Sequence, residues 1–388
     1  MSQGAIFPQS RQAVAALFLA NGYVVGSWAS LIPEFKIRLG VDESGLGLLI
    51  LAFGIGSLIA MPICGAIVAK AGSQKLVLGL STVLIIVLMA LMHAPNIPLA
   101  ALAMVLAGGM IGGMDVAMNA NAVSVERDMH KAIMSSCHGF WSLGGFAGAG
   151  LGGLMIAEFG VEMHVLIVTA IVALMIGFAW HKTMDDAAEL SDDIKQPKAG
   201  LPRSALPYLI GAMALACMIP EGSVVDWSAL YLRQELGADV AMSGFAFAAF
   251  SATMAVMRFL GDGIRNRLGA VLTLRLSAIF AGAGLVIASM AYVTEVAILG
   301  FAVAGIGVAN LVPIAFSAAG NLPGYAPGVA ISVATFMGYS GILFMPSLIG
   351  FIAVHTGFAI IFMALATGFI AVFFAAPVAR HADGITKV

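Results

Sequence analysis

The sequence predicts an all-α integral membrane protein with twelve transmembrane helices in two six-helix halves. Its composition is the first indication, since 61% of the 388 residues are hydrophobic and only 10% are charged. Ordinary soluble domains carry roughly a quarter charged residues. Long uncharged runs are the second, and residues 296–379 contain no Asp, Glu, Lys or Arg. Because about 20 apolar residues cross a bilayer, that run alone has room for about three spans.

Charged or Gly/Pro-rich turns separate the predicted helices. The helices are 11–33, 44–69, 76–93, 98–123, 132–157, 162–181, 206–232, 242–263, 271–292, 296–319, 328–353 and 357–379. The uncharged run 12–33 is too long for the core of a signal peptide, so we interpret it as a retained first helix. Asn321-Leu322-Pro323-Gly324 marks the uncharged turn between the tenth and eleventh helices.

The two halves of the chain resemble each other. We expect an N-terminal bundle at 1–181, a solvated cytoplasmic linker at 182–205 and a C-terminal bundle at 206–388. Trp28 is followed sixteen residues later by Ser-Gly, and Trp227 is followed by Ser-Gly at the same spacing. A parallel repeat of six plus six helices is typical of transporters, whose substrate site lies between the halves near mid-membrane.

Lysine and arginine predict the orientation. They collect at the N-terminus, at the turns 70–75, 126–131 and 265–267, in the linker and at the C-terminus. The opposite loops hold only Lys36, Arg38 and Arg233. The positive-inside rule therefore places both termini in the cytoplasm of a bacterial inner-membrane, multi-pass protein. We expect membrane lipid around it and a monomeric chain.

Several function classes are excluded at this stage. No polybasic stretch suggests a nucleic acid partner. Cys64, Cys137 and Cys217 fall within apolar spans and have neither disulfide nor metal spacing. No nucleophile, phosphate loop or metal set indicates an enzyme. We expect no cofactor, with the proton as coupling ion and a small-molecule solute as partner.

The segment 108–145 carries intramembrane polar groups. Asp115 and Asn119 are four residues apart and share one helix face, and His138 follows in the next predicted helix. A charged group in hydrocarbon costs several kcal/mol unless it faces a partner or a wet cavity, so such residues are functional candidates. A purely structural Asp–His or Asp–Asn bond between helices is the alternative.

The basic turns GAIVAKAGSQK (65–75) and GDGIRNRLG (261–269) resemble the Gly-x-x-x-Asp-Arg-x-Gly loop of the major facilitator superfamily. The helix count and the central loop agree with that family over nearly the whole chain. Ala69 and Lys70 replace the acid and the arginine in the first copy, and Asn266 replaces the acid in the second. The resemblance implies that the acid that helps latch the cytoplasmic gate is missing from both copies.

Within the superfamily, GGMDVAMNA, PEGSVVDW and MRFLGD resemble the fucose permease-like group and its rhizopine-transporter-like relatives. That resemblance implies proton coupling by Asp115 next to Asn119, and a functional Glu221 six residues before Trp227. The acid that sugar symporters of this group often carry in the first helix is here Ala29.

The superfamily arrangement implies that the first, fourth, seventh and tenth helices line the cavity. The intramembrane polar residues concentrate on the same helices: Asn21, Trp28, Asp115, Asn119, Glu221, Asp226, Trp227 and Asn310. Trp28, Trp227, Phe336 and Tyr339 could stack on a sugar-like ring or serve packing.

Some roles stay open. His138 could relay protons to Asp115 or tie two helices together. Asp226 could lie at the outer mouth or pair with Arg233. Gly144, Gly148 and Gly152 form a small-residue stripe, which we expect at the seam between the fifth and eighth helices.

We therefore expect a proton symporter that moves a small polar solute, such as a sugar or sugar derivative, by alternating access. Asp115, Glu221 and His138 are the proton-coupling candidates, and the other polar and aromatic residues above are substrate candidates. Proton-coupled efflux of amphipathic compounds is the alternative, since GAGLGG (148–153) is near an antiporter signature, but Ala149 replaces its proline. A non-transporting membrane sensor or scaffold is the second alternative.

Overall fold

The computed structural model describes residues 8–130, 133–186, 204–322 and 327–385. Helices α1 to α4 are Gln9–Leu39, Glu43–Ala71, Gln74–Met92 and Ile97–Met129. The helical segment Met134–Trp180 turns at Gly160 (φ 77°), a value that glycine adopts without strain, and its arms 134–159 and 161–180 are α5 and α6. Helices α7 to α9 are Leu206–Gln234, Phe245–Leu268 and Ala270–Ser289. Thr294–Val308 and Leu311–Gly320 together form α10, and Pro327–Thr356 and Phe358–Ala375 are α11 and α12.

The described helices account for twelve membrane spans. Ten segments are long and apolar enough to cross a bilayer. One of them, Met134–Trp180, has 47 residues and bends at Gly160, so it makes two spans. The apolar part of α8, Phe245–Gly261, is shorter and completes the set. The predicted all-α membrane fold with twelve helices is confirmed.

Several helix ends differ from the prediction. Helix α1 continues six residues beyond the predicted end at 33, and α4 continues six residues beyond 123. Two charged residues in these extensions have partners, which offset the cost of ordering them. Glu34 pairs with Arg233, and the Glu126 carboxylate accepts the backbone N–H of Ile133 at 2.8 Å, at the start of α5.

Glycines set the packing of α1 on α5. A Cβ on Gly22 would lie 1.9 Å from the Trp141 carbonyl oxygen, and one on Gly144 would lie 2.2 Å from the Leu19 carbonyl oxygen. Gly148 meets α1 in the same way. The expectation that this stripe lies at the seam with α8 is therefore wrong, because the stripe faces α1 and lets the two backbones touch.

The neighbouring face of α5, at Ala149 and Gly153, meets α8 instead. A Cβ on Gly153 would lie 2.5 Å from the Ala241 carbonyl oxygen, just before α8, and one on Gly244 would lie 2.1 Å from the Ala149 carbonyl oxygen. A one-residue step turns a helix by about 100°, so the neighbouring stripe serves the neighbouring contact.

The start of the predicted linker is partly buried. Asp186 is 5% exposed, and its carboxylate accepts the Ser73 N–H at 2.7 Å and the Ser73 hydroxyl at 2.6 Å. Asn121 of α4 donates to the same hydroxyl at 2.9 Å. Asp186 thus supplies the negative charge at the N-terminus of α3. Residues 187–203 of the predicted linker lie outside the described residues.

The second half repeats this arrangement. Asp383 lies in the short 3₁₀ segment Ala376–Ile385 after α12. Its carboxylate accepts the Ala270 N–H at 3.0 Å, at the start of α9, and lies 3.8 Å from Arg265. In each half, an acidic residue after the last helix faces the turn in which the loop motif has lost its own acid. That acid is replaced by Ala69 in the first half and by Asn266 in the second.

Candidate functional site

Asp115 lies on α4 and faces the other half of the molecule. Its carboxylate accepts a hydrogen bond from Asn119 Nδ2 at 3.1 Å, as their spacing on one face predicts. The Tyr339 hydroxyl of α11 forms a second hydrogen bond to this carboxylate. None of the ion pairs among the described residues includes Asp115. The acid is therefore held by neutral donors from both halves.

His138 is not a partner of Asp115 in the described structure. Its ring meets Phe18 of α1 edge-on, with centroids 5.3 Å apart, and lies within electrostatic range of Arg258. The predicted Asp–His bond between helices is thus absent from this conformation. A role of His138 in proton relay stays a prediction.

Glu221 is the second intramembrane acid and has a cation. Its Oε1 lies 3.2 Å from Arg258 Nη2 of α8, and Arg258 Nη1 donates to Ser142 Oγ of α5 at 2.7 Å. The guanidinium carbon lies 5.9 Å from the centre of the Trp141 ring, within the range of a cation–π contact. Trp141 Nε1 in turn donates to Asn21 Oδ1 at 2.8 Å.

These contacts form one polar belt between the halves. We use "central belt" for Asp115, Asn119 and Tyr339 together with Glu221, Arg258, Ser142, Trp141, Asn21 and His138. Tyr339 joins its two parts, since it bonds Asp115 and lies within electrostatic range of Glu221. Helices α1, α4 and α5 contribute from one half, and α7, α8 and α11 from the other.

Arg258, Ser142 and Trp141 are the members of the belt that the sequence did not single out, and of these three only Arg258 is charged. The predicted eighth helix ended at 263, which placed Arg258 close to the cytoplasmic end. The helix continues to Leu268, so Arg258 lies ten residues inside it. Its position in an otherwise apolar run, within MRFLGD, could have identified it, because a charge inside the membrane requires a partner.

Three predicted substrate residues lie away from the central belt. Trp28 meets Phe35 edge-on at 5.1 Å and borders a cavity of about 30 Å³ inside the first half, which holds about one or two waters. Trp227 is fully buried and stacks on Phe358 at 5.5 Å. Asn310, in the break of α10, donates to the Met257 carbonyl of α8 at 3.4 Å. These placements favour packing roles.

The remaining candidates are exposed or without a partner. Phe336 is 70% exposed. Asp226 is half-buried, and no hydrogen bond joins it to another described residue. Arg233, its expected partner, pairs instead with Glu34 of α1. Within the described residues, no group of three or more His, Cys, Asp or Glu side chains could hold a metal ion.

The halves are locked together on one side of the central belt. An even number of spans puts both chain ends on one face, and we call the other the opposite face. There, Arg233 pairs with Glu34, and Gln234 Nε2 donates to Glu43 Oε1 at 3.0 Å. A Cβ on Gly350 of α11 would lie 2.3 Å from the Glu43 carbonyl oxygen. The opposite face is therefore closed.

Twelve membrane helices in two halves, with a charged belt between them, define a membrane transport protein. The sequence profile described as Major Facilitator Superfamily matches residues 14–346, and the chain belongs to that family. The resemblance seen in the sequence is confirmed.

Proteins of similar sequence support this family membership. The chain is 35% identical over 366 residues to an uncharacterised MFS-type transporter of Yersinia pestis, covering 93% of this chain and 94% of that protein. It is 30% identical over 353 residues to the membrane protein MosC of Rhizobium meliloti, covering 89% and 84%.

Solved structures share the fold at low identity. The nucleoside transporter NupG superposes with a TM-score of 0.73 at 14% identity, covering 96% of this chain and 98% of NupG. An asparagine-to-alanine variant of the E. coli fucose:proton symporter FucP gives a TM-score of 0.64 at 16% identity, covering 95% of this chain and 97% of FucP.

Proposed function

We propose that this chain is a secondary active transporter of the bacterial inner membrane. It moves a small polar solute, a sugar or sugar derivative, together with a proton by alternating access. Asp115 carries the proton, and the central belt binds the solute.

The different surroundings of the two acids carry this proposal. Glu221 has Arg258 as counter-ion, whereas Asp115 has only the Asn119 amide and the Tyr339 hydroxyl. A carboxylate without a counter-cation in a membrane interior is costly when charged, so Asp115 is suited to bind and release a proton. Its contact with Tyr339 makes the fit between the halves sensitive to that proton.

The conformation fits one step of such a cycle. With the predicted orientation, the closed opposite face is the outer one. Fold-level analogy adds support, since FucP is by name a fucose:proton symporter and NupG a nucleoside transporter.

Uptake into proteoliposomes tests the proposal. Purified protein would be reconstituted and offered labelled neutral and acidic sugars and polyols, with an inwardly directed proton gradient or with none. We expect at least one of these solutes to accumulate only with the gradient. Gradient-driven extrusion of amphipathic dyes, without sugar uptake, would contradict symport and indicate an efflux transporter. Absence of all transport by folded protein would contradict both.

A further inference from the structure

The central belt has buried hydrogen-bond donors without acceptors. Within the described part of the chain, Arg258 Nε and Asn21 Nδ2 are buried and have no partner. Both belong to residues that touch Trp141, one beside its ring and one at its N–H. A buried donor left without an acceptor costs about 1–3 kcal/mol. This part of the belt therefore suits a ligand group rich in acceptor oxygens.

Arg258 is only partly used by its protein partners. A guanidinium has five N–H donors in a planar fork that matches a carboxylate. Glu221 takes one through Nη2 and Ser142 takes one through Nη1. The Nε–H has no acceptor, so this edge of the fork can donate two parallel hydrogen bonds to a second carboxylate.

The net charge of the belt explains how solute binding would be coupled to proton binding. With Asp115 and Glu221 ionised and Arg258 protonated, these three groups carry a formal charge of −1. A bound anion would make it −2, and one proton on Asp115 restores −1. His138 and Tyr339 also face this region, and Asp226 lies on the same helix as Glu221. An anionic solute and a proton thus leave the net charge of the belt unchanged.

We propose that the guanidinium of Arg258 binds a carboxylate of the transported solute, which is a hydroxylated organic acid such as a sugar acid. The Asn21 Nδ2 amide donates to a solute hydroxyl or carboxylate oxygen beside it. The solute anion enters with one proton on Asp115, and both leave on the other side, so transport is electroneutral. This inference rests on the proposed function and names the solute class of the same site.

Matched acid and neutral solutes test it. Proteoliposomes would be offered galacturonate, gluconate and glycerate beside galactose, sorbitol and glycerol. We expect a proton gradient to drive accumulation of an acid and not of its neutral counterpart. A potassium diffusion potential alone, set by valinomycin, should drive none.

Arg258 variants identify the residue. Arg258→Gln should lower acid uptake about 10- to 100-fold, the range for loss of a hydrogen bond to a charged group. Arg258→Lys should be intermediate, because it keeps the charge and loses the fork. Arg275→Gln removes another intramembrane arginine, which lies over Phe373 on α12, and should transport normally. If Arg258→Gln does not fold, the comparison of Arg258→Lys with Arg275→Gln gives the answer.

The outcomes separate the two proposals. Proton-driven uptake of a neutral solute with no uptake of its acid would overturn this inference and leave the proposed function standing. Acid uptake that is unchanged in a folded Arg258→Lys or Arg258→Gln protein would also overturn it. Failure of every solute to respond to the gradient would overturn both.

Discussion

At the residue scale, two carboxylates in one belt have different surroundings. Glu221 is tied to Arg258 at 3.2 Å, and in the proposed mechanism it serves as a fixed charge. Asp115 has the same chemistry but only neutral donors, so in the proposed mechanism its charge changes during the cycle. In this proposal the partner, and not the residue type, separates a structural acid from a proton carrier.

Asp115→Asn should abolish accumulation driven by a proton gradient and largely preserve exchange of solute between loaded states. The amide imitates the neutral acid with nearly unchanged shape, so exchange, which needs no deprotonation, continues. Counterflow and gradient-driven uptake would be measured side by side.

Two controls accompany this substitution. Glu158→Gln removes an exposed acid at the end of α5 and should behave like the wild type. His138→Gln should not reproduce Asp115→Asn, since no hydrogen bond joins the two residues. Persistent accumulation in folded Asp115→Asn would remove Asp115 from the mechanism and leave Glu221 as the candidate.

At the element scale, each half ties its third helix with an acid that follows its last helix. Asp186→Ala should lower the free energy of unfolding by about 1–2 kcal/mol, because a buried acceptor of several N-terminal donors is lost from α3. Asp383→Ala should cost less, since its side chain is 39% exposed. Thermal unfolding in detergent would compare the two, and equal effects would contradict the role of burial.

The contact between α5 and α8 should control closure of the opposite face. In Gly244→Ala the new Cβ would lie 2.1 Å from the Ala149 carbonyl oxygen, so the helices must separate. Spin labels at the exposed positions Ile37 and Glu295, in a background without the native cysteines, should report longer distances.

Gly79→Ala is the matched control for this contact. No atom lies within 4 Å of its added Cβ, and alanine is the better helix former. It should leave the label distances unchanged. Identical distances in Gly244→Ala and the wild type would mean that this contact does not set the closed state.

At the scale of the whole molecule, the Glu34–Arg233 pair joins the halves on the opposite face. Arg233→Gln should weaken closure by about 0.2–1 kcal/mol, as is usual for an ion pair near the surface. The same label pair would show a larger open population. The charge exchange Glu34→Arg with Arg233→Glu should restore it, and failure to do so would assign the effect to packing.

Orientation in the membrane is a second prediction at this scale. A cysteine at Gly237, in the loop before α8, should react with an impermeant reagent added to intact cells. A cysteine at Lys195 should react only after the membrane is opened. The reverse pattern would invert the topology that the basic residues predict.

The sequence by itself determined the class of fold, because composition and uncharged run length depend only on which residues are present. It also identified Asp115, Asn119 and Glu221, since an ionisable residue in an apolar run is conspicuous without coordinates. These residues lie in the central belt, and their functional roles stay predictions.

Only the tertiary structure decided which polar groups meet. Arg258 and Glu221 lie 37 residues apart in sequence, and Asp115 meets Tyr339 from the other half. The glycine stripe at 144, 148 and 152 faces α1, and Trp227 packs on Phe358. Periodicity tells which residues share a helix face, but the rotation of each helix depends on all its neighbours at once. Contacts between helices are therefore set by the assembled bundle and not by local sequence.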